Sequence, residues 1–230
     1  MNSSRFTKHW AAALVAFGLL CTVVVAPTAN AAGANSGVLP PNSRSHGMTY
    51  GEWSAAWWQW ALSGTAADNP VADPTGASCA VRQTAAVWFL AGTFGGDAER
   101  TCTVPAGKAL FFPIINTVWA NDPGGTATED EVRAAARADL VGATASAEID
   151  GTAITNLQGY LVESPTFTLV LSDDNVLGAP GGTYAPAAAA GIHLLLAPLA
   201  PGSHLVRFRG CFANGFCAGA VYHLTVSADT

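Results

Sequence analysis

The last fifty residues carry the pattern that most limits the fold. Ile192 to Leu196, His204 to Phe208 and Val221 to Val226 are short apolar-rich runs, separated by Pro198-Leu199-Ala200-Pro201-Gly202 and by the segment from Cys211 to Cys217. In the second run His204, Val206 and Phe208 fall on one face of an extended chain, and Leu205, Arg207 and Arg209 on the other. In the third, Tyr222, Leu224 and Val226 alternate with His223 and Thr225. A period of two belongs to strands with one dry and one wet face. The runs therefore predict adjacent antiparallel strands of a sandwich.

The other end of the chain reads as an export signal. Arg5, Lys8 and His9 precede an apolar stretch from Trp10 to Val25, and Ala29-Asn30-Ala31 is the small-x-small pattern of a signal-peptidase site. Residues 1–31 are expected to be removed, which leaves about 199 residues, the length of one sizeable domain. Loss of Arg5 and Lys8 moves the formal charge from −6 to −8 and leaves no Lys/Arg cluster, so nucleic acid is not an expected partner. Only 11% of residues are charged and 50% are hydrophobic, a balance for burial rather than disorder. No transmembrane segment is expected after cleavage, because Pro186, Gly191, His193 and Pro198 interrupt the apolar stretch Ala185 to Ala200.

Cys21 lies in the leader behind Leu20, which does not fit a lipidation site. Cys79, Cys102, Cys211 and Cys217 remain, an even number in an exported chain, and read as two disulfides. Three pairings exist; Cys79–Cys102 and Cys211–Cys217 are preferred because each brackets a compact segment. No close CxxC pair points to a metal, and neither a metal nor another cofactor is expected.

Residues 32–48 are rich in Gly, Asn, Ser and Pro and read as a flexible lead-in, and residues 49–230 as one β-rich domain. Thr49 with Glu52, and Thr128 with Glu131, have capping-box spacing, so helices are predicted near 50–62 and 129–141. Trp53, Trp57 and Trp60 share one sector of the first helix while Trp58 points elsewhere. Ala86 to Ala91, Lys108 to Asn116 and Phe167 to Leu171 read as strands; Pro113 places an edge, bulge or end in the second. Asp150-Gly151 reads as a two-residue hairpin turn, and Phe94 to Asp97 as another turn.

Candidate binding residues follow from chemistry. A flat, rigid indole outside the packed face, Trp58, can stack on a sugar ring or another planar ligand. Gln83, Arg100 and Lys108 flank the apolar strands, with Glu52 near them, and a carboxylate–guanidinium pair can serve either an active site or a helix–sheet tie. His193, His204 and His223 would form a metal site only if their strands brought them together, which the strand parity of His204 and His223 opposes. The acidic turns Asp68 to Asp73 and Asp122 to Glu131 lack EF-hand spacing. GxSxG, HExxH and phosphate-loop signatures are absent.

The phrases Tyr50-Gly-Glu-Trp-Ser-Ala-Ala-Trp-Trp-Gln-Trp, Val87-Trp-Phe-Leu-Ala-Gly, Arg100-Thr-Cys-Thr-Val-Pro-Ala-Gly-Lys and Pro198-Leu-Ala-Pro-Gly-Ser-His resemble a family of exported bacterial proteins without an assigned activity. The resemblance spans nearly all of the mature chain and transfers no catalytic residue. The Pro-Gly-x-His entry into a strand is similar to a turn of immunoglobulin-like sandwiches, which implies fold alone. Together the readings predict a mainly β, disulfide-stapled, sandwich-like single domain with two helices. Its expected role is that of a secreted non-enzymatic binding module for an extracellular ligand, a carbohydrate or envelope component. The alternative is a secreted hydrolase using Glu52, Arg100 or His46 beside the Trp-rich helix.

Overall fold

The structure is a computed structural model that describes residues 37–84 and 86–228. The expected leader, its cleavage site and Cys21 lie outside the described residues. In chain order the elements are β1 (Arg44–Ser45), β2 (Met48–Thr49), α1 (Tyr50–Leu62), β3 (Val87–Phe89), β4 (Gly96–Val104), β5 (Ala109–Ala120), α2 (Glu129–Ala138), β6 (Thr144–Ile149), β7 (Thr152–Ala153), β8 (Leu161–Glu163), β9 (Phe167–Leu171), β10 (Gly182–Leu196), β11 (Gly202–Cys211) and β12 (Cys217–Val226). The chain forms a mainly β, sandwich-like single domain with two helices and two disulfides, Cys79–Cys102 and Cys211–Cys217.

Two five-stranded sheets make up the sandwich. The first has the order β3-β5-β10-β8, with β9 also on β10; the second has the order β4-β12-β11-β6-β7. Phe112 of β5 stacks on Phe208 of β11 with ring centres 4.8 Å apart, and Phe208 stacks on Tyr222 of β12. Gly210 lies where a Cβ would collide with Ile115, so its missing side chain lets the sheets approach. On the opposite face of the first sheet, Phe111 packs against Tyr50 and Trp53 of α1. Consecutive residues Phe111 and Phe112 thus divide between the helix layer and the second sheet, as strand alternation requires.

Both capping boxes are formed. Thr49 Oγ1 accepts the Glu52 N–H while the Glu52 carboxylate accepts the Thr49 N–H, and Thr128 and Glu131 repeat the exchange. The first helix has the predicted bounds. The second ends at Ala138 rather than Val141, because Asp139 to Gly142 turn, with the Ala143 N–H donating to Leu140 O and Gly142 at positive φ. Asp150-Gly151 joins β6 to β7 with positive φ at both residues.

Pro113 sits at a bulge of β5, one of the placements expected for it, where the pairing with β10 shifts between Ile192 and His193. Three differences from the sequence reading have physical causes. The run Ile192 to Leu196 belongs to the first sheet, whereas β11 and β12 pair with each other in the second. Strand β4 extends beyond the expected turn; its buried face carries Arg100 and Cys102, so hydropathy conceals it. Part of the expected flexible lead-in is docked: Val38 bridges Leu196, the Leu39 N–H donates to Leu195 O, and β1 pairs with β2. Among the described residues no helix is long and apolar enough to cross a membrane.

Candidate functional site

The Trp-rich helix separates its indoles by role. Trp53, Trp57 and Trp60 are buried, and their N–H groups donate to the carbonyls of Ser45, Leu90 and Val81 at 3.1, 3.0 and 2.8 Å. Trp58 stands perpendicular to Trp57, half-buried, and its indole N–H has no hydrogen-bond partner. It forms one wall of a cleft of about 680 Å³. Across from it are Phe94, which is exposed, and Phe212 and Phe216 from the β11–β12 turn. A smaller cavity of about 150 Å³ shares Trp58, Phe94, Asn116, Phe212 and Phe216 with the cleft.

Local chemistry sets each wall. Cys211 and Cys217 are register partners joined by a disulfide, the Phe212 N–H donates to Phe216 O, and Gly215 takes the positive φ of the tight turn. The loop that carries Phe212 and Phe216 is therefore held at both ends. Phe216 also lies against Gly95, where a Cβ would be 3.1 Å from its ring. On β5, Asn116 and Thr117 line the floor, and Asp139, just after α2, accepts the Thr117 hydroxyl at 3.0 Å and the Trp119 N–H at 2.7 Å. Asp139 is the one charged residue among the described lining residues of the cleft and the cavity.

Arg100 acts from beneath. It is 1% exposed, and its guanidinium donates to the carbonyls of Asp73, Ala91, Gly92 and Val71 and to the Tyr222 hydroxyl. It also lies over the Tyr222 ring at 5.5 Å. Burial raises the Tyr222 pKa. These bonds tie the 71–73 and 91–92 segments together, immediately before Phe94, and the Cys79–Cys102 disulfide joins the same loop to β4. Arg100 is thus a brace for the wall that bears Phe94.

Comparison of the chain with protein-family models, with curated proteins and with solved structures found no match.

The remaining candidates from the sequence are dispersed. Glu52 is engaged by Thr49, whose backbone N–H and hydroxyl hold its pKa below the usual carboxylate value, and Arg44 lies 3.7 Å from it. Arg100 bonds to other groups, so the two do not form a pair. Gln83 bonds to the backbone of Cys79 and Phe89. Lys108 is half-buried just before β5 and outside the cleft lining, and His46 is exposed in the β1–β2 turn. His193, His204 and His223 occupy three separate places: the first is buried beside Ser54, the second bonds to Asp150 and the third to Glu99.

Phe94, Asn116, Asp139, Phe212 and Phe216 were not singled out by the sequence reading. A usable signal existed for the phenylalanines: all three sit in turn or loop segments, where an aromatic side chain lacks a strand's buried face. Asn116 and Asp139 come from distant elements and acquire meaning only from the fold.

Between α1 and β10 lies a buried polar pair. Ser54 Oγ and His193 Nε2 are 3.2 Å apart, both residues have no exposure, and the ring of His193 stacks on Phe111. Burial pushes the His193 pKa down to about 4. Gly191 separates His193 from Asn116, and a Cβ there would meet both side chains at 2.6 Å. The absent side chain makes room for the two polar groups on one face of the sheet.

Proposed function

We propose that this chain is an exported, non-enzymatic binding module whose ligand enters the cleft between Trp58, Phe94 and the Cys211–Cys217 loop. The observation that carries the reading is the convergence of four aromatic residues, partly exposed, from three separate segments onto one open cleft. Exposed rings that could have been packed inward are a feature of ligand surfaces, and a few fixed polar groups among them give orientation. Asn116, Thr117 and Asp139 supply those groups. Export is supported by the leader pattern and by two disulfides, which persist in oxidising compartments.

The hydrolase reading has one geometric support, the Ser54–His193 pair. It is sealed, since neither residue is exposed. A nucleophile needs access to its substrate, so binding is the better account.

The test is retention of the mature chain on insoluble polysaccharides, cell-envelope fractions and immobilised peptides, with Trp58→Ala and Phe216→Ala in parallel. Both substitutions should lower retention at least tenfold while changing stability by no more than about 1 kcal/mol. Turnover of chromogenic esters or glycosides, abolished by Ser54→Ala, would replace the binding reading with the hydrolase.

A further inference from the structure

The cleft and the cavity beneath it are floored by six consecutive residues of β5, Pro113 to Val118. Side chains of a strand alternate between faces, so a surface lying on one face meets every second residue. Contact with consecutive residues means that the cleft runs along the strand's edge, where the main chain itself is presented. The pairing agrees. On one side β10 accompanies β5 from Leu110 to Ala120, whereas on the other β3 reaches only Ala109 to Phe111. The Leu90 N–H donating to Phe111 O is the last main-chain bond on that side. Among the described residues, nothing pairs with that edge from Phe112 to Ala120.

We infer that this edge receives an extended polypeptide segment of a partner, added beside β5 as a further strand of the first sheet. The inference rests on the cleft being the binding site and names the class of its ligand. An unpaired edge offers a row of N–H and C=O groups, which an extended peptide satisfies along its length. Pro113, which has no N–H, blunts the inner end, so the accessible edge is Asn116 to Ala120. The flanks match an added strand as well. Trp58 rises from α1 on one face of the sheet, while Phe212 and Phe216 project from the second sheet's β11–β12 turn on the other. Alternate side chains of the incoming segment therefore meet an aromatic surface on each face.

Charge narrows the partner further. No arginine, lysine or histidine is among the described lining residues, and Asp139 is fixed by Thr117 and Trp119 without a cation in an ion pair. A segment alternating apolar residues with lysine or arginine complements that wall. A saccharide could stack on the rings, but it would leave the strand edge unused.

The experiment is selection of a random decapeptide display library on the mature, disulfide-intact chain. Enriched sequences should alternate apolar residues and carry a basic one. Binding of a selected peptide should slow amide exchange at Asn116, Val118 and Ala120, whose N–H groups face away from β10, and leave Thr117 and Trp119, already bonded to β10, unchanged. N-methylation of alternate peptide amides should weaken binding about tenfold per lost bond in one register and leave the other unchanged. Asp139→Asn, checked for an unchanged melting temperature, should weaken binding about tenfold and flatten its salt dependence. Absence of enrichment, or equal tolerance of N-methylation in both registers, would overturn the inference. Trp58-dependent binding of an oligosaccharide with no peptide enriched would overturn it too, yet leave the binding module standing.

Discussion

Two neighbouring indoles on α1 show how differently one residue type is used in two regions. Trp57 belongs to the layer between helix and sheet: it is 2% exposed, donates to Leu90 O, and contacts Trp60. Trp58, one residue on, meets Trp57 edge to face and turns into the cleft, its N–H without a partner. The layer is closed, with the indole N–H of each of its three helix tryptophans bonded to a backbone carbonyl; the cleft leaves rings partly exposed, although the Trp58 N–H is itself shielded from solvent. An unpartnered N–H does not define a site by itself, since Trp88 has one and is buried at 6% exposure. Partial exposure of several rings on one concave surface distinguishes the cleft.

The sharpest way to break this contrast is to empty the closed layer. Trp57→Ala should cost about 3–5 kcal/mol of stability in urea unfolding, the usual loss for a large core aromatic. A loss under 1 kcal/mol would mean that the layer is no better packed than the cleft.

The disulfides offer the next test, since one supports the Arg100 brace and the other the cleft rim. With sequence separations of 23 and 6, chain-entropy reasoning gives about 3 kcal/mol for Cys79–Cys102 and about 2 kcal/mol for Cys211–Cys217. Paired Cys→Ser variants should follow that order in stability. For ligand retention the order should reverse, because the shorter loop carries Phe212 and Phe216.

Acid probes the closed layer through His193. Its folded-state pKa, about 4, lies below the ordinary 6.5, so the unfolded chain binds more protons between those values. Its contribution to stability is present above pH 6.5 and is lost as pH falls, by about 2 kcal/mol between pH 7 and pH 5. His204, whose pKa is raised, works in the opposite sense: its contribution is present at low pH and is lost as pH rises. The carboxylates with lowered pKa values, Glu52, Asp68, Asp73, Glu131 and Glu163, lose theirs only at lower pH. Unfolding curves across pH 5 to 7 should therefore tilt with the sign of His193, and His193→Gln should remove that tilt whatever it does to overall stability.

The smallest effect on stability belongs to Trp58→Ala, within about 1 kcal/mol of the parent in the same urea measurement, as for other partly exposed positions. A loss comparable to that of Trp57→Ala would place Trp58 in the packed layer and remove the basis for the contrast.

Much of the scaffold was legible because it depends on neighbours in sequence. The capping residues Thr49, Glu52, Thr128 and Glu131, the Asp150-Gly151 turn, and the wet and dry faces of β11 and β12 are local matters of hydrogen bonding and alternation. Cysteine spacing favoured the pairing that the structure contains. Strand β4 escaped notice because its inward face includes an arginine, made tolerable in the interior by carbonyls from distant loops and a tyrosine on another strand. Trp58 was separable from its neighbours by helical phase; the residues facing it were not, since they lie far away along the chain.

By itself, then, the sequence determined what short-range physics governs: where helices begin, which strand faces are dry, which cysteines bracket compact loops, and which indole leaves the packed face. Tertiary structure alone decided sheet membership, the burial of Arg100, and the meeting of Trp58 with Phe94, Phe212, Phe216 and Asp139. It also decided that β3 stops after three residues while β5 continues, leaving the strand edge open. The physical reason is that pairing and cleft formation depend on which surfaces long-range burial brings together, and no local periodicity encodes that choice.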